Sequence, residues 1–147
     1  MDISPRLAAF RHVFDLQLRW SDIDQLGHVN NARYLSFFEE ARIRYGIESG
    51  MSWNWTTEGM VIASVQVSFR RELKLYDEPR IYSRTTRVGK SSYDMEYLVI
   101  DKHGNLVCES TAVLVALNLL ERKTIVIPER IRTAIATYET LPVEGLA

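Results

Sequence analysis

Hydrophobic and polar positions alternate from His12 to Trp20. Phe14, Leu16, Leu18 and Trp20 fall on one side, and Asp15, Gln17 and Arg19 on the other. A period of two predicts a half-buried strand over 12–20. It runs into SDIDQLGHVNN, a polar stretch that reads as a loop. The period then lengthens. Tyr34, Leu35, Phe38, Ala41 and Tyr45 recur at three- and four-residue steps, which predicts a helix over 31–48. Asn30 or Asn31 is its N-cap, because an Asn side chain accepts a bond from an unpaired first-turn amide. Arg33, Glu40 and Arg44 occupy its exposed side, and Gly46 and Gly50 offer stops. Period two returns over 61–70, 80–88, 92–101 and 105–117, in segments rich in β-branched and aromatic residues. Val61, Ala63, Val65, Val67 and Phe69 share one face of the first of these. Val88–Ser92 and Lys102–Asn105 read as tight turns. Pro128 starts a short helix over 128–139, since its fixed φ suits a first turn.

Strand, long helix, then four antiparallel strands describe one α+β domain over 1–147, without repeats. One helix covers only part of one sheet face, so the remaining apolar surface and edges call for a partner, and a homodimer is expected. Composition narrows the partners further. The 147 residues carry 18 basic and 19 acidic side chains, a net charge of −1. Such a balance gives no field for nucleic acid or an anionic membrane. The longest apolar stretch, 111–120, is about half of what a spanning helix needs, and the N-terminus lacks a signal-like apolar run; a cytoplasmic protein is expected. One cysteine, Cys108, excludes an intrachain disulfide and a cysteine zinc site, and three scattered histidines argue against any metal.

The segment with chemical content is Asp22-Ile-Asp24-Gln-Leu-Gly27-His28-Val-Asn30-Asn31, between first strand and helix. Two carboxylates stand just before a helix start, where unpaired amides and the helix dipole favour developing negative charge. Amides that polarise a carbonyl beside a carboxylate that attacks it, or activates water, are suited to acyl transfer. Gly27 permits close backbone approach to a ligand.

The run Asp24-Gln-Leu-Gly-His-Val-Asn-Asn-Ala-Arg-Tyr34, with Phe38-Glu39-Glu40-Ala41-Arg42 one helical stretch later, resembles the hotdog-fold acyl-CoA thioesterases of the 4-hydroxybenzoyl-CoA thioesterase superfamily. Its His-Val-Asn-Asn form is most similar to the long-chain acyl-CoA branch. The resemblance spans about residues 12–118 and implies a five-stranded antiparallel sheet wrapped around one long helix, with the 128–139 helix outside the common core. It implies Asp24 as the catalytic carboxylate and the Asn31 amide as the carbonyl's partner, with Asp22 as the motif's non-catalytic acid. It implies dimers, or dimers of dimers, with sites between subunits. The substrate is then a fatty (or aryl) acyl-CoA; coenzyme A enters as part of the substrate, and no other cofactor is called for.

Gly27, His28 and Asn30 are the substrate-binding candidates within the loop, and Lys90 and Ser91 are candidates for the coenzyme A phosphates. Phe37, Trp53, Trp55 and Met60 are candidates to line an acyl chain. Against the catalytic reading of Asp24 stands a plain helix-capping carboxylate. His28 also reads as a residue that fixes the turn, and Glu39 or Glu40 is the runner-up catalytic acid. Cys108 reads as an inert buried thiol. Two other activities compete: a hotdog enoyl-CoA hydratase or dehydratase, which lacks its Asn-Pro signature here, and a non-catalytic acyl-binding module.

Overall fold

The computed structural model describes residues 2–146. Its elements are α1 (Ser4–Leu7), β1 (His12–Asp15), α2 (Tyr34–Ser49), β2 (Glu58–Phe69), β3 (Arg80–Val88), β4 (Ser92–Ile100), β5 (Leu106–Asn118), β6 (Lys123–Thr124) and α3 (Glu129–Tyr138). Two 3₁₀ turns, Trp20–Asp22 and Asn31–Arg33, bracket the polar loop, and the second runs directly into α2. The antiparallel sheet has the order β1-β3-β4-β5-β2, with the two-residue β6 appended to β5. One long helix lies along this sheet, as a hotdog fold requires.

Helix α2 holds its place because Tyr34, Phe38, Ala41 and Tyr45 face inward together and are buried. Burying each of the larger side chains contributes about 1.5–3 kcal/mol. Opposite them lie Tyr93, Met95, Tyr97 and Val99 of β4, with Cys108, Ala112 and Leu114 of β5. Gly50, at φ 77°, ends the helix in the left-handed region; Gly46 lies inside it. Leu35, placed on the inward face by its spacing, is exposed instead, along with Ile43 and Ile47.

The first strand is shorter than its alternation suggested. Regular pairing with β3 stops at Asp15, although the Leu16 amide still donates to the Pro79 carbonyl at 3.0 Å. Leu16 is buried, but Trp20 has turned into the 3₁₀ turn and is 79% exposed. The β2 face assignment also needs correction. A bulge between Ile62 and Ser64 shifts the register, so Met60 and Ile62 share a side with Val65, Val67 and Phe69, while Val61 points to the other. A bulge inserts one unpaired residue, which exchanges the two faces beyond it.

Two features fall outside the sequence reading. Residues 3–10 pack Ile3, Leu7 and Phe10 against Leu98, Ile100 and Tyr82 on the sheet's outer side. Arg6 fastens this arm to Glu96 at 2.9 Å and Glu109 at 3.2 Å. The C-terminal segment completes the part of β3 that β1 leaves open. A Glu139 carboxylate oxygen accepts from the Thr85 amide at 2.8 Å and the Tyr45 hydroxyl at 2.6 Å, and the Val88 amide donates to the Glu144 carbonyl. The opposite edge, on the 12-residue β2, pairs with nothing among the described residues.

Candidate active site

The loop between β1 and α2 is closed on itself by backbone bonds. Ile23 and Val29 form an isolated antiparallel bridge, and the Asp24 amide donates to the His28 carbonyl at 2.8 Å. The Gly27 amide donates to the Asp24 carbonyl at 3.0 Å, and Gly27 itself sits at φ 83°. A Cβ there would meet no atom within 4 Å, so the turn, not crowding, calls for glycine. The Val29 amide donates to the Leu73 carbonyl at 2.7 Å and ties the loop to the chain leaving β2.

Its two carboxylates have different surroundings. Asp22 is 1% exposed. Its Oδ2 accepts from the Arg19 amide at 2.8 Å, and its Oδ1 lies 3.4 Å from Arg19 Nη2 and 3.8 Å from Arg33 Nε. Asp24 is partly exposed, and its Oδ1 accepts from the Leu26 amide at 2.9 Å. No described residue bonds its Oδ2.

That second oxygen belongs to the side chain lining an open cavity of about 460 Å³. Asp24 and Asn31 form one wall, Tyr34 and Phe69 the floor, and Arg70 to Leu73 the far rim. Asn30 caps the helical run, its Oδ1 accepting from the Ala32 amide at 2.9 Å. Asn31 is the first helical residue, whose N–H has no intrahelical acceptor. Asp24 and the residue that opens the helical run therefore line one space. Tyr34 packs edge-on to Phe69, with ring centres 5.2 Å apart, and burial pushes its phenol upward, which keeps it neutral. His28 Nε2 lies 3.0 Å from a Glu72 carboxylate oxygen on the rim.

The other sequence candidates are distributed differently. Gly27 shapes the turn but does not line the cavity. Lys90 and Ser91 sit in the β3–β4 turn, at the far end of the strands from Phe69; the carbonyl of Lys90 accepts from the Ile127 amide and that of Ser91 from the Ala116 amide. Glu39 and Glu40 are exposed on α2 outside the cavity, and Glu40 lies 3.8 Å from Arg44. Phe37 and Trp53 are buried core residues, and Trp55 is exposed. Burial pushes the Cys108 thiol up to about 12, as expected of an inert residue. The sequence reading missed Tyr34 and Phe69 as the floor. No local signal gives this pairing, because it depends on β2 ending beside the start of α2. A larger groove of about 900 Å³ runs past Leu16, Tyr76 and Lys102 and contains none of the candidate residues. Among the described residues, no three His, Cys, Asp or Glu side chains gather as a metal would require, and no helix is long and apolar enough to cross a membrane.

A family model of the thioesterase-like superfamily matches residues 18–135. The chain belongs to the thioesterase-like superfamily. Its chemistry is thioester hydrolysis, and at the level of this superfamily the activity is that of an acyl-CoA thioesterase. The long-chain acyl-CoA thioesterase FadM of Escherichia coli is 30% identical over 121 residues, which are 80% of this chain and 91% of FadM. YsmA of Bacillus subtilis is 34% identical over 100 residues, 68% of each chain. A thioesterase from Thermus thermophilus, crystallised with coenzyme A and zinc, superposes with a TM-score of 0.80 at 36% identity, covering 92% of this chain and 98% of its own. The superfamily match spans the loop, α2 and every strand from β2 onward.

Proposed function

We propose that this protein hydrolyses fatty (or aryl) acyl-CoA thioesters to the free acid and coenzyme A, with Asp24 as its catalytic carboxylate. One observation carries the reading: Asp24, whose Oδ2 has no partner among the described residues, and Asn31, the first residue of the helical run, line the same cavity. The thioester carbonyl oxygen takes the Asn31 N–H, where the helix start stabilises the negative charge formed during attack. The Leu26 amide holds Oδ1 and leaves Oδ2 free for the substrate. His28 and Asn30 contact the substrate from the same wall, and Gly27 sets the turn that presents them.

Two routes share this geometry. Either Oδ2 attacks the acyl carbon, expelling the thiolate and leaving a mixed anhydride that water opens, or it takes a proton from the water that attacks. Neither requires a metal or a further cofactor.

The free β2 edge supports a homodimer. Val61, Ile62, Val65 and Phe69 are exposed along it, and an unpaired strand of this length invites pairing with a second copy. Antiparallel pairing about the middle of β2 brings the β3–β4 turn of the second copy to the end where this chain's Asp24 lies. Lys90 and Ser91 of the second copy then face the coenzyme A phosphates, which a single chain cannot arrange.

A panel of acyl-CoAs with thiol detection tests the activity. We expect free coenzyme A from wild type and a fall in turnover of about 10³-fold for Asp24→Asn. Unchanged turnover in Asp24→Asn removes the assignment, and hydration of enoyl-CoA without thiol release moves the protein to the hydratase class. Single-turnover hydrolysis in ¹⁸O-water divides the routes, with unlabelled acid marking attack by Asp24 itself. A solution mass of one chain overturns the dimer.

A further inference from the structure

The sheet has two ends, and the chain treats them differently. At one end the edge of β2 pairs with nothing among the described residues. At the other, β1 covers β3 only from Arg80 to Ser83, because β1 begins at His12, opposite Ser83. Phe10, two residues earlier, is already packed on the sheet's outer side. Residues 84–88 of β3 therefore lie beyond β1 and form a second edge. Five residues is an ordinary strand length.

This second edge is covered. Residues 139–145, which follow α3, take up its main-chain groups in turn. A Glu139 carboxylate oxygen accepts from the Thr85 amide at 2.8 Å, in the role that a neighbouring strand's carbonyl would play. The Glu144 amide donates to the Thr86 carbonyl at 3.1 Å, and the Val88 amide donates to the Glu144 carbonyl at 2.8 Å. Glu144 thereby forms a parallel bridge with Arg87, one residue long. A bulge in β3 between Thr85 and Arg87 bends the edge at the same place.

Three contacts hold the cover down. The Tyr45 hydroxyl of α2 donates to the same Glu139 oxygen at 2.6 Å. Val143 is buried in the main core, with Leu146 packed against it. Gly145, at φ 87°, passes so close to β3 that a Cβ on it would collide with the Val88 carbonyl oxygen. Both its conformation and its clearance call for glycine. Residues 139–145 lie outside the Asp24 cavity.

We propose that residues 139–145 end the sheet in place of a strand, and that the 84–88 edge beneath them pairs with the same edge of a second copy once they are displaced. The inference does not depend on the thioesterase reading. A bare edge pairs with any strand at hand, and in a solution of one protein that strand is the identical edge of another molecule. Antiparallel pairing of an edge with its own copy is self-complementary. A carboxylate and a one-residue bridge offer no such row of groups to a newcomer. Where the β2 edges are paired as proposed above, a second self-pairing edge on every chain links dimers into open assemblies; without that pairing, growth stops at two chains.

The test is the solution mass of the full chain by light scattering, with amide hydrogen exchange at Thr85 and Val88 to report displacement of the cover. Gly145→Val keeps every bonding group and sets a side chain against the Val88 carbonyl. We expect both amides to exchange about tenfold faster or more in this variant, and its mass at high concentration to be at least about double that of wild type. Fast exchange with the wild-type mass overturns the proposal, because the edge is then open and recruits nothing. Unchanged exchange overturns it too, since Gly145 then does not hold the cover in place. Open-ended growth of the wild type does the same. Should Gly145→Val be insoluble, Glu139→Ala and Glu139→Gln decide. The alanine removes the acceptor of the Thr85 amide and the glutamine keeps one, so growth in mass confined to Glu139→Ala supports the proposal, and growth in both or in neither overturns it.

Discussion

Asp22 and Asp24 stand two residues apart in one loop, yet the fold treats them in opposite ways. Asp22 is buried, and both its oxygens serve the chain: they hold the Arg19 amide and face two arginines. Asp24 gives one oxygen to the Leu26 amide and leaves the other without a partner among the described residues, on a side chain that lines an open cavity. On the proposed reading of Asp24, partner count, more than residue type, separates a structural acid from a chemical one. A carboxylate with both oxygens bound is a fixed part of the loop; one held by a single amide is aimed and remains available.

Exchanging their side chains for neutral ones should therefore separate activity from stability. Asp24→Asn keeps an oxygen for the Leu26 amide, so we expect thioester turnover to collapse while unfolding free energy moves by less than about 0.5 kcal/mol. Asp22→Ala removes a buried acceptor and leaves the Arg19 amide unpaired, which should cost about 2–4 kcal/mol in urea unfolding. Its turnover per folded molecule should exceed that of Asp24→Asn. If Asp22→Ala keeps full stability, or if Asp24→Asn melts early, the distinction between the two acids fails.

Gly27 is the next test, because it serves the loop without lining the cavity. Its φ of 83° disfavours any side chain, while the space around a new Cβ is open. Gly27→Ala should then cost about 1 kcal/mol, lowered slightly by the smaller entropy of the unfolded chain, and should leave KM near its original value. A large rise in KM with little loss of stability points to direct substrate contact at this position.

Much of this was legible from residue pattern. Alternation located β3, β4 and β5 to within a residue or two, and helical spacing located α2, because each buries one face against the same core. The polar loop and the asparagine cap are contiguous in sequence, so local chemistry sufficed to place them. What escaped depended on distant neighbours. The β2 bulge that turns Val61 outward shows no proline or glycine at Ala63, and alternation alone runs straight through it. Trp20 continues the strand's period but follows the turn that Asp22 builds around the Arg19 amide. The cavity floor joins Tyr34 to Phe69, which follows only from where β2 ends beside the start of α2.

The smallest effect concerns the rim. His28 has two attachments of different kinds: its carbonyl accepts the Asp24 amide, and its ring nitrogen lies 3.0 Å from Glu72, a residue whose side chain is 60% exposed. Exposed pairs of this type contribute between zero and about 1 kcal/mol. If the backbone contact is what positions Asp24, removing the ring's partner should hardly disturb the acid. We expect Glu72→Gln to change stability by less than about 0.5 kcal/mol and turnover by less than about twofold. A double-mutant cycle with His28→Ala should give a coupling of similar size. A coupling several times larger in turnover than in stability would transfer the ring to the chemical side of the loop, with Asp24, and leave Asp22 as the only purely structural side chain of the three.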